Sequence, residues 1–180
     1  SGRTDPRSSG RCVEQGFGAW RQQGWARPKV LALRRQGCQL KIITDNPEDN
    51  PLGVNRPPYI NQGGFMQSQV ILEHIYGPLK PPAQRLSGRI IRFDQTEFFG
   101  GDPRASMSRY AYAYVPKAVE EGAPCRVHIA LHGCKQNISD VQQQYVRNTG
   151  YNRWADTNNI VMLYPQTSTA ATNSCWDWWG

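Results

Sequence analysis

Apolar positions along the chain fall into two periodicities, separated by turn-forming stretches. In residues 65–77, Phe65, Val70, Ile71, Leu72 and Ile75 recur near helical spacing, and Gly77-Pro78 supplies a stop signal, so a helix is predicted there. Strands are predicted at residues 89–93, 110–115, 126–131 and 160–164, the last closed by Pro165. The second of these alternates strictly, with Tyr110, Tyr112 and Tyr114 on one face and small residues on the other. Between the last two strands an amphipathic stretch, residues 141–156, predicts one helix with Asp140 as its N-cap. Two short apolar strands flanking a helix make a βαβ unit, and therefore a parallel sheet. Residues 42–64 read as a turn-rich loop and residues 79–83 as a Pro-rich linker. No internal repeat is visible.

Charge changes this picture at one end only. The 180 residues carry a net charge of +7, and residues 1–41 account for all of it, with nine Lys/Arg against Asp5 and Glu14. The remaining 12 basic and 12 acidic residues cancel, so the body of the chain suggests no polyanionic partner and no nucleic acid. The first 41 residues also lack a capped helix or an alternating strand. They are expected to form a basic leader, disordered or out of frame with residues 42–180. No apolar run approaches the roughly 18–20 residues that a membrane-spanning helix needs, and no signal peptide is visible. Five cysteines leave at least one thiol outside any internal disulfide.

The chemistry concentrates at Leu131-His132-Gly133-Cys134, directly after a buried-looking strand. A strand that ends in His-Gly before a helix can gather backbone N–H groups into an oxyanion hole, with donors about 3 Å from a developing charge. A tight strand exit also favours Gly with no chemistry at all, so this motif alone leaves both readings open.

Three further segments, taken with it, favour the first reading by resemblance. LHGCKQN, GYNRWADTNNIV, LYPQT and CWDWWG resemble the polyhydroxyalkanoate (poly(3-hydroxybutyrate)) depolymerases, and PPYINQGG, ILEHIYGPL and FDQTEF extend the resemblance back to about residue 42. The resemblance implies an α/β fold, a mostly parallel α/β-hydrolase-like sheet in circularly permuted order, of which residues 42–180 are the oxyanion-strand, C-terminal half. It implies a secreted serine-type ester hydrolase acting on aliphatic polyesters or hydroxyalkanoate oligomers, without metal or organic cofactor and without a membrane. Cys134 is then the residue whose backbone N–H forms half of the oxyanion hole. His132, Gly133, Trp178 and Trp179 are candidate substrate contacts, with Trp176 a weaker one. Cys134 and Cys175 are the expected disulfide, and Cys125 is expected to pair with a cysteine outside this chain.

The resemblance also marks what is missing. No serine here has Gly two positions before it, and His74, His128 and His132 do not occupy the family's catalytic-histidine position, near Leu40. The triad is expected in a missing N-terminal half of the same domain, which leaves the isolated chain inactive. Asp156 and Asp177 receive no catalytic role, and Tyr151, Asn152, Arg153 and Trp154 are expected to fix helix to sheet. Alternative readings are a non-catalytic polymer-binding module using the Trp cluster, a conventional-order esterase cut before its serine, and a nucleic-acid binder driven by the leader.

Overall fold

The computed structural model describes residues 41–177; the expectations for the basic leader, for Trp178 and for Trp179 lie outside the described residues. In chain order the elements are β1 (Ile42–Thr44), β2 (Asn50–Pro51), β3 (Ile60–Gln62), α1 (Gln67–Tyr76), β4 (Arg89–Asp94) and β5 (Tyr110–Val115). Then come α2 (Lys117–Glu120), β6 (Arg126–Ile129), α3 (Ile138–Val141), α4 (Gln144–Asn148), α5 (Tyr151–Thr157) and β7 (Ile160–Tyr164). β1, β3 and β2 form a small parallel sheet in that order, and β4-β5-β7-β6 form a four-stranded one.

The larger sheet is mixed. β6 and β7 run parallel, as the βαβ pattern requires, whereas β4 with β5 and β5 with β7 are antiparallel. The expectation of a mostly parallel sheet therefore applies to β6/β7 and to the small sheet, and not to the β4–β5 edge. Residues 42–64 also hold strands where a loop was expected. Amide side chains brace these parallel ladders: Asn61 Nδ2 donates to the carbonyls of Pro51 and Val54, and Asn50 Nδ2 to those of Arg56 and Pro57.

The single helix expected over 141–156 is three short ones. Gln142 turns to φ 53°, in the left-handed region, and Gly150 to φ 82°. A side chain at Gly150 would be strained there and would also run into Met66 Sδ, at 2.3 Å from an ideal Cβ. The first helix is capped by Asn137 and not by Asp140: Asn137 Oδ1 accepts from the Ser139 and Asp140 amides, both at 3.0 Å.

One face of the large sheet is packed. Leu72 of α1, Tyr151 and Trp154 of α5, and Ile160, Met162 and Tyr164 of β7 share one buried cluster. Tyr164 is fully buried, and its hydroxyl donates to Asn152 Oδ1 at 2.6 Å, so helix and sheet are joined by a satisfied polar contact as well as by packing. On β6, His128 faces the core between Tyr76 and Tyr151. Its neighbours of opposite parity, Val127, Ile129 and Leu131, are 55%, 56% and 54% exposed. β6 is thus an edge strand with a bare apolar face. Among the described residues no helix is long and apolar enough to cross a membrane.

Candidate active site

The ladder of β6 ends where the Ala130 amide donates to Leu163 O at 2.9 Å, and the Leu131 carbonyl then accepts from the Tyr145 hydroxyl at 2.8 Å. Beyond it residues 133–136 form a turn, closed by the Gln136 amide on Gly133 O at 3.2 Å, with Lys135 at φ 56°. The three successive amides of this turn have different fates. Gly133 N–H donates to Gln136 Oε1 at 2.9 Å, and Lys135 N–H donates to Asn173 O at 2.9 Å. Cys134 N–H, between them, has no acceptor among the described residues. A fixed backbone donor left unpaired at a strand exit can stabilise charge on an oxygen brought to it.

The turn is held from several directions. Gln136, 2% exposed, donates through Nε2 to Pro58 O at 2.9 Å and Tyr59 O at 3.3 Å, tying it to the loop before β3. Asn137 Nδ2 donates to Thr167 O, and Gln166 Oε1 accepts from the Ile138 amide. Gln166 O in turn accepts from Gln95 Nε2 at 2.8 Å. A disulfide joins Cys134 to Cys175, with Cα atoms 4.2 Å apart across 41 positions of sequence. Thr167 Oγ1 donates to Ser174 O at 3.0 Å, so the segments 166–168 and 173–175 back the turn together.

His132 sits beneath the turn, 3% exposed. Its Nε2 accepts from the Thr167 amide at 3.3 Å, which assigns the proton to Nδ1, and Nδ1 lies 2.8 Å from Gly133 O. Trp176 packs against the imidazole with centroids 5.2 Å apart, and Tyr145 meets it edge-on. Burial holds the pKa of His132 below its ordinary value, against the opposing pull of the Gly133 carbonyl and of Asp140. Trp176 Nε1 is buried with no hydrogen-bond partner among the described residues.

The structure therefore brings together His132, Gly133, Cys134, Cys175 and Trp176. Cys125 is exposed and has no disulfide partner among the described residues. Asp156 lies away from the turn and accepts from Ser87 N, Ser87 Oγ and the Tyr114 hydroxyl. Asp177 is exposed. Tyr151, Asn152 and Trp154 are buried, and Arg153 Nε donates to Ala83 O. Sequence reasoning passed over Gln136, Asn137, Gln166, Thr167 and Asn173, the residues that hold the turn. Apart from Asn173, which acts through its backbone carbonyl, their signal was the run of amide and hydroxyl side chains in KQN and PQT, polar types that a hydropathy reading places at the surface. Among the described residues no group of three or more His, Cys, Asp or Glu could hold a metal ion.

The chain is similar to several known proteins. Residues 108–180 match the family described as esterase PHB depolymerase. The chain is 54% identical over 143 residues to a poly(3-hydroxybutyrate) depolymerase of Delftia acidovorans, a match covering 77% of this chain and 28% of the relative. It is 37% identical over 147 residues to a polyhydroxybutyrate depolymerase of Talaromyces funiculosus, covering 73% and 42%. A solved PHB depolymerase complexed with an R3HB trimer matches with TM-score 0.71 and 34% identity over 77% of this chain and 48% of that one. The crystal structure of PHB depolymerase from Penicillium funiculosum matches with TM-score 0.65 and 36% identity, over 71% and 40%. The chain thus spans less than half the length of each of these proteins, and its fold is their α/β-hydrolase type. The likenesses are to PHB depolymerases, and the family match over residues 108–180 spans the exit of β6 and the turn that carries Cys134.

Proposed function

We propose that this chain supplies the oxyanion-hole side of a serine-type carboxylic ester hydrolase that cleaves poly(3-hydroxybutyrate)-like aliphatic polyesters. The observation that carries the reading is the Cys134 amide, unpaired between two paired neighbours on a loop fixed on every flank. In this reaction a serine Oγ attacks the ester carbonyl carbon and passes its proton to a histidine. The carbonyl oxygen becomes an anion, and Cys134 N–H donates to it. When the carbonyl re-forms, the alcohol end of the polymer leaves with the proton, and water repeats the sequence on the acyl-enzyme. Removing one such donor typically costs about 10²–10³ in kcat.

The serine, aspartate and histidine are assigned to the portion of the domain that the relatives contain and this chain does not span, in permuted order before residue 42. The open edge of β6 and the bare face of Val127, Ile129 and Leu131 support a place for that portion, since an exposed apolar edge strand can accept a further strand. The substrate is inferred from the family and from the R3HB trimer bound by a solved relative. Trp178 and Trp179 remain the proposed wall of the polyester crevice. Export is supported by the disulfide, which persists in oxidising compartments.

The test is hydrolysis of a soluble 3-hydroxybutyrate oligomer. The full-length protein turns over and is stopped by a serine-directed phosphonate, while the 180-residue chain alone does neither. Phosphonate-sensitive turnover by the chain alone would place the nucleophile within it and overturn the assignment.

A further inference from the structure

We infer that His132 is a positioning residue, whose Nδ1–H fixes the Gly133–Cys134 peptide plane and so aims the Cys134 amide at the oxyanion. This rests on the proposed esterase activity and adds a residue to it. A trans peptide is planar, with its C=O and N–H pointing in opposite directions, so whatever pins the Gly133 carbonyl also orients the Cys134 N–H. That carbonyl has two donors: the Gln136 amide at 3.2 Å, closing the turn, and His132 Nδ1 at 2.8 Å. One hydrogen bond leaves the plane free to rock about the chain direction. Two from different directions do not.

The imidazole is itself immobilised. Nε2 accepts from the Thr167 amide at 3.3 Å with the Thr167 hydroxyl 3.4 Å away, Trp176 lies against the ring, and Tyr145 closes its edge. Rotating the ring would leave a buried amide of Thr167 without its acceptor. The same contact selects the tautomer, because a ring nitrogen that accepts from an amide must be unprotonated, which puts the proton on Nδ1 facing Gly133 O. Burial favours the neutral ring and keeps this arrangement intact near neutral pH. A direct contact between substrate and this side chain is not available, since both nitrogens are engaged and the residue is 3% exposed. The strand-exit His-Gly pair therefore works as a unit: the histidine aims, and the peptide after the glycine donates.

The test uses the full-length enzyme carrying His132→Asn or His132→Gln. The asparagine amide sits where Nδ1 does and can still donate to Gly133 O, whereas the glutamine terminus sits near Nε2 and can answer only Thr167. Expected is a fall of about 10²-fold in kcat for H132Q with KM held within about threefold, of which H132N recovers about tenfold. H132N no better than H132Q, or kcat and KM falling together in both, shows a merely structural histidine and overturns the inference. Imidazole ¹⁵N shifts of the wild-type enzyme need no variant to fold: protonation at Nδ1 is expected, and protonation at Nε2 overturns it. Failure of the esterase reading looks different. There the Cys134 amide proton of the wild-type enzyme does not move when a phosphonate occupies the serine. If it moves, and moves equally in H132Q, the positioning role alone is lost.

Discussion

Gln136 and Pro58 are joined across 78 positions of sequence by a hydrogen bond of 2.9 Å from the glutamine Nε2 to the proline carbonyl. The same side chain accepts from Gly133 N–H through Oε1, so one buried amide couples the small sheet's entry loop to the turn that presents Cys134. Gln136→Leu leaves a buried donor and two carbonyls without this partner. A loss of about 1–3 kcal/mol is expected in urea unfolding, and a change below about 0.5 kcal/mol would contradict the coupling.

The disulfide between Cys134 and Cys175 closes a loop across 41 positions, which by loop-closure entropy stabilises the fold by about 3–4 kcal/mol. Cys175→Ser should therefore lower the unfolding midpoint and make it insensitive to added dithiothreitol, whereas the wild-type midpoint falls on reduction. A wild-type midpoint indifferent to reductant contradicts this.

Stability should fall on mild acidification, for a reason that can be signed. Burial lowers the pKa of both His132 and His128 from the ordinary 6.5. Between the folded and unfolded values the unfolded chain binds protons that the buried rings refuse. Their contribution is complete above about pH 6.5 and is lost as the pH falls through that value toward the folded pKa values. The urea midpoint should decrease from about pH 7.5 to about pH 5.5, with a shallower decrease in His132→Asn. A midpoint that rises on acidification reverses the assignment.

Asp156 is the most catalytic-looking carboxylate in the chain, and its partners are structural: Ser87 and the Tyr114 hydroxyl. Burial and this hydrogen bond push the Tyr114 phenol well above its ordinary range, so it remains a donor. Asp156→Asn should cost about 1–2 kcal/mol in unfolding and leave kcat of the folded full-length enzyme within about twofold. A loss of kcat near that of a missing triad acid would give Asp156 a chemical role.

Much of this fold was legible because burial and periodicity agreed. The Tyr110–Val115 strand, the β6/β7 parallel pair and the helix ending at Gly77 all announced themselves by apolar spacing and stop signals. The stretch 141–156 was misread because its apolar positions fit one helix, while Gln142 and Gly150, both at positive φ, divide it to bring Asn137 under the turn and Met66 against Gly150. The small sheet gave no sign because its strands are two or three residues long and are held by buried asparagines. At the site, the cysteine pair and the His-Gly exit were legible through the family resemblance. The hidden part was amide chemistry: Gln95, Gln136, Asn137 and Gln166 are all buried, each working as a hydrogen-bond bracket between loops distant in sequence.

The oxyanion role rests on one N–H group, that of Cys134. A crystal structure of the full-length enzyme with a phosphonate bonded to its serine tests it most directly. A phosphoryl oxygen is expected about 2.7–3.1 Å from Cys134 N, with the Gly133 carbonyl still turned toward His132. A phosphoryl oxygen bound by other donors, with Cys134 N facing solvent, would contradict it.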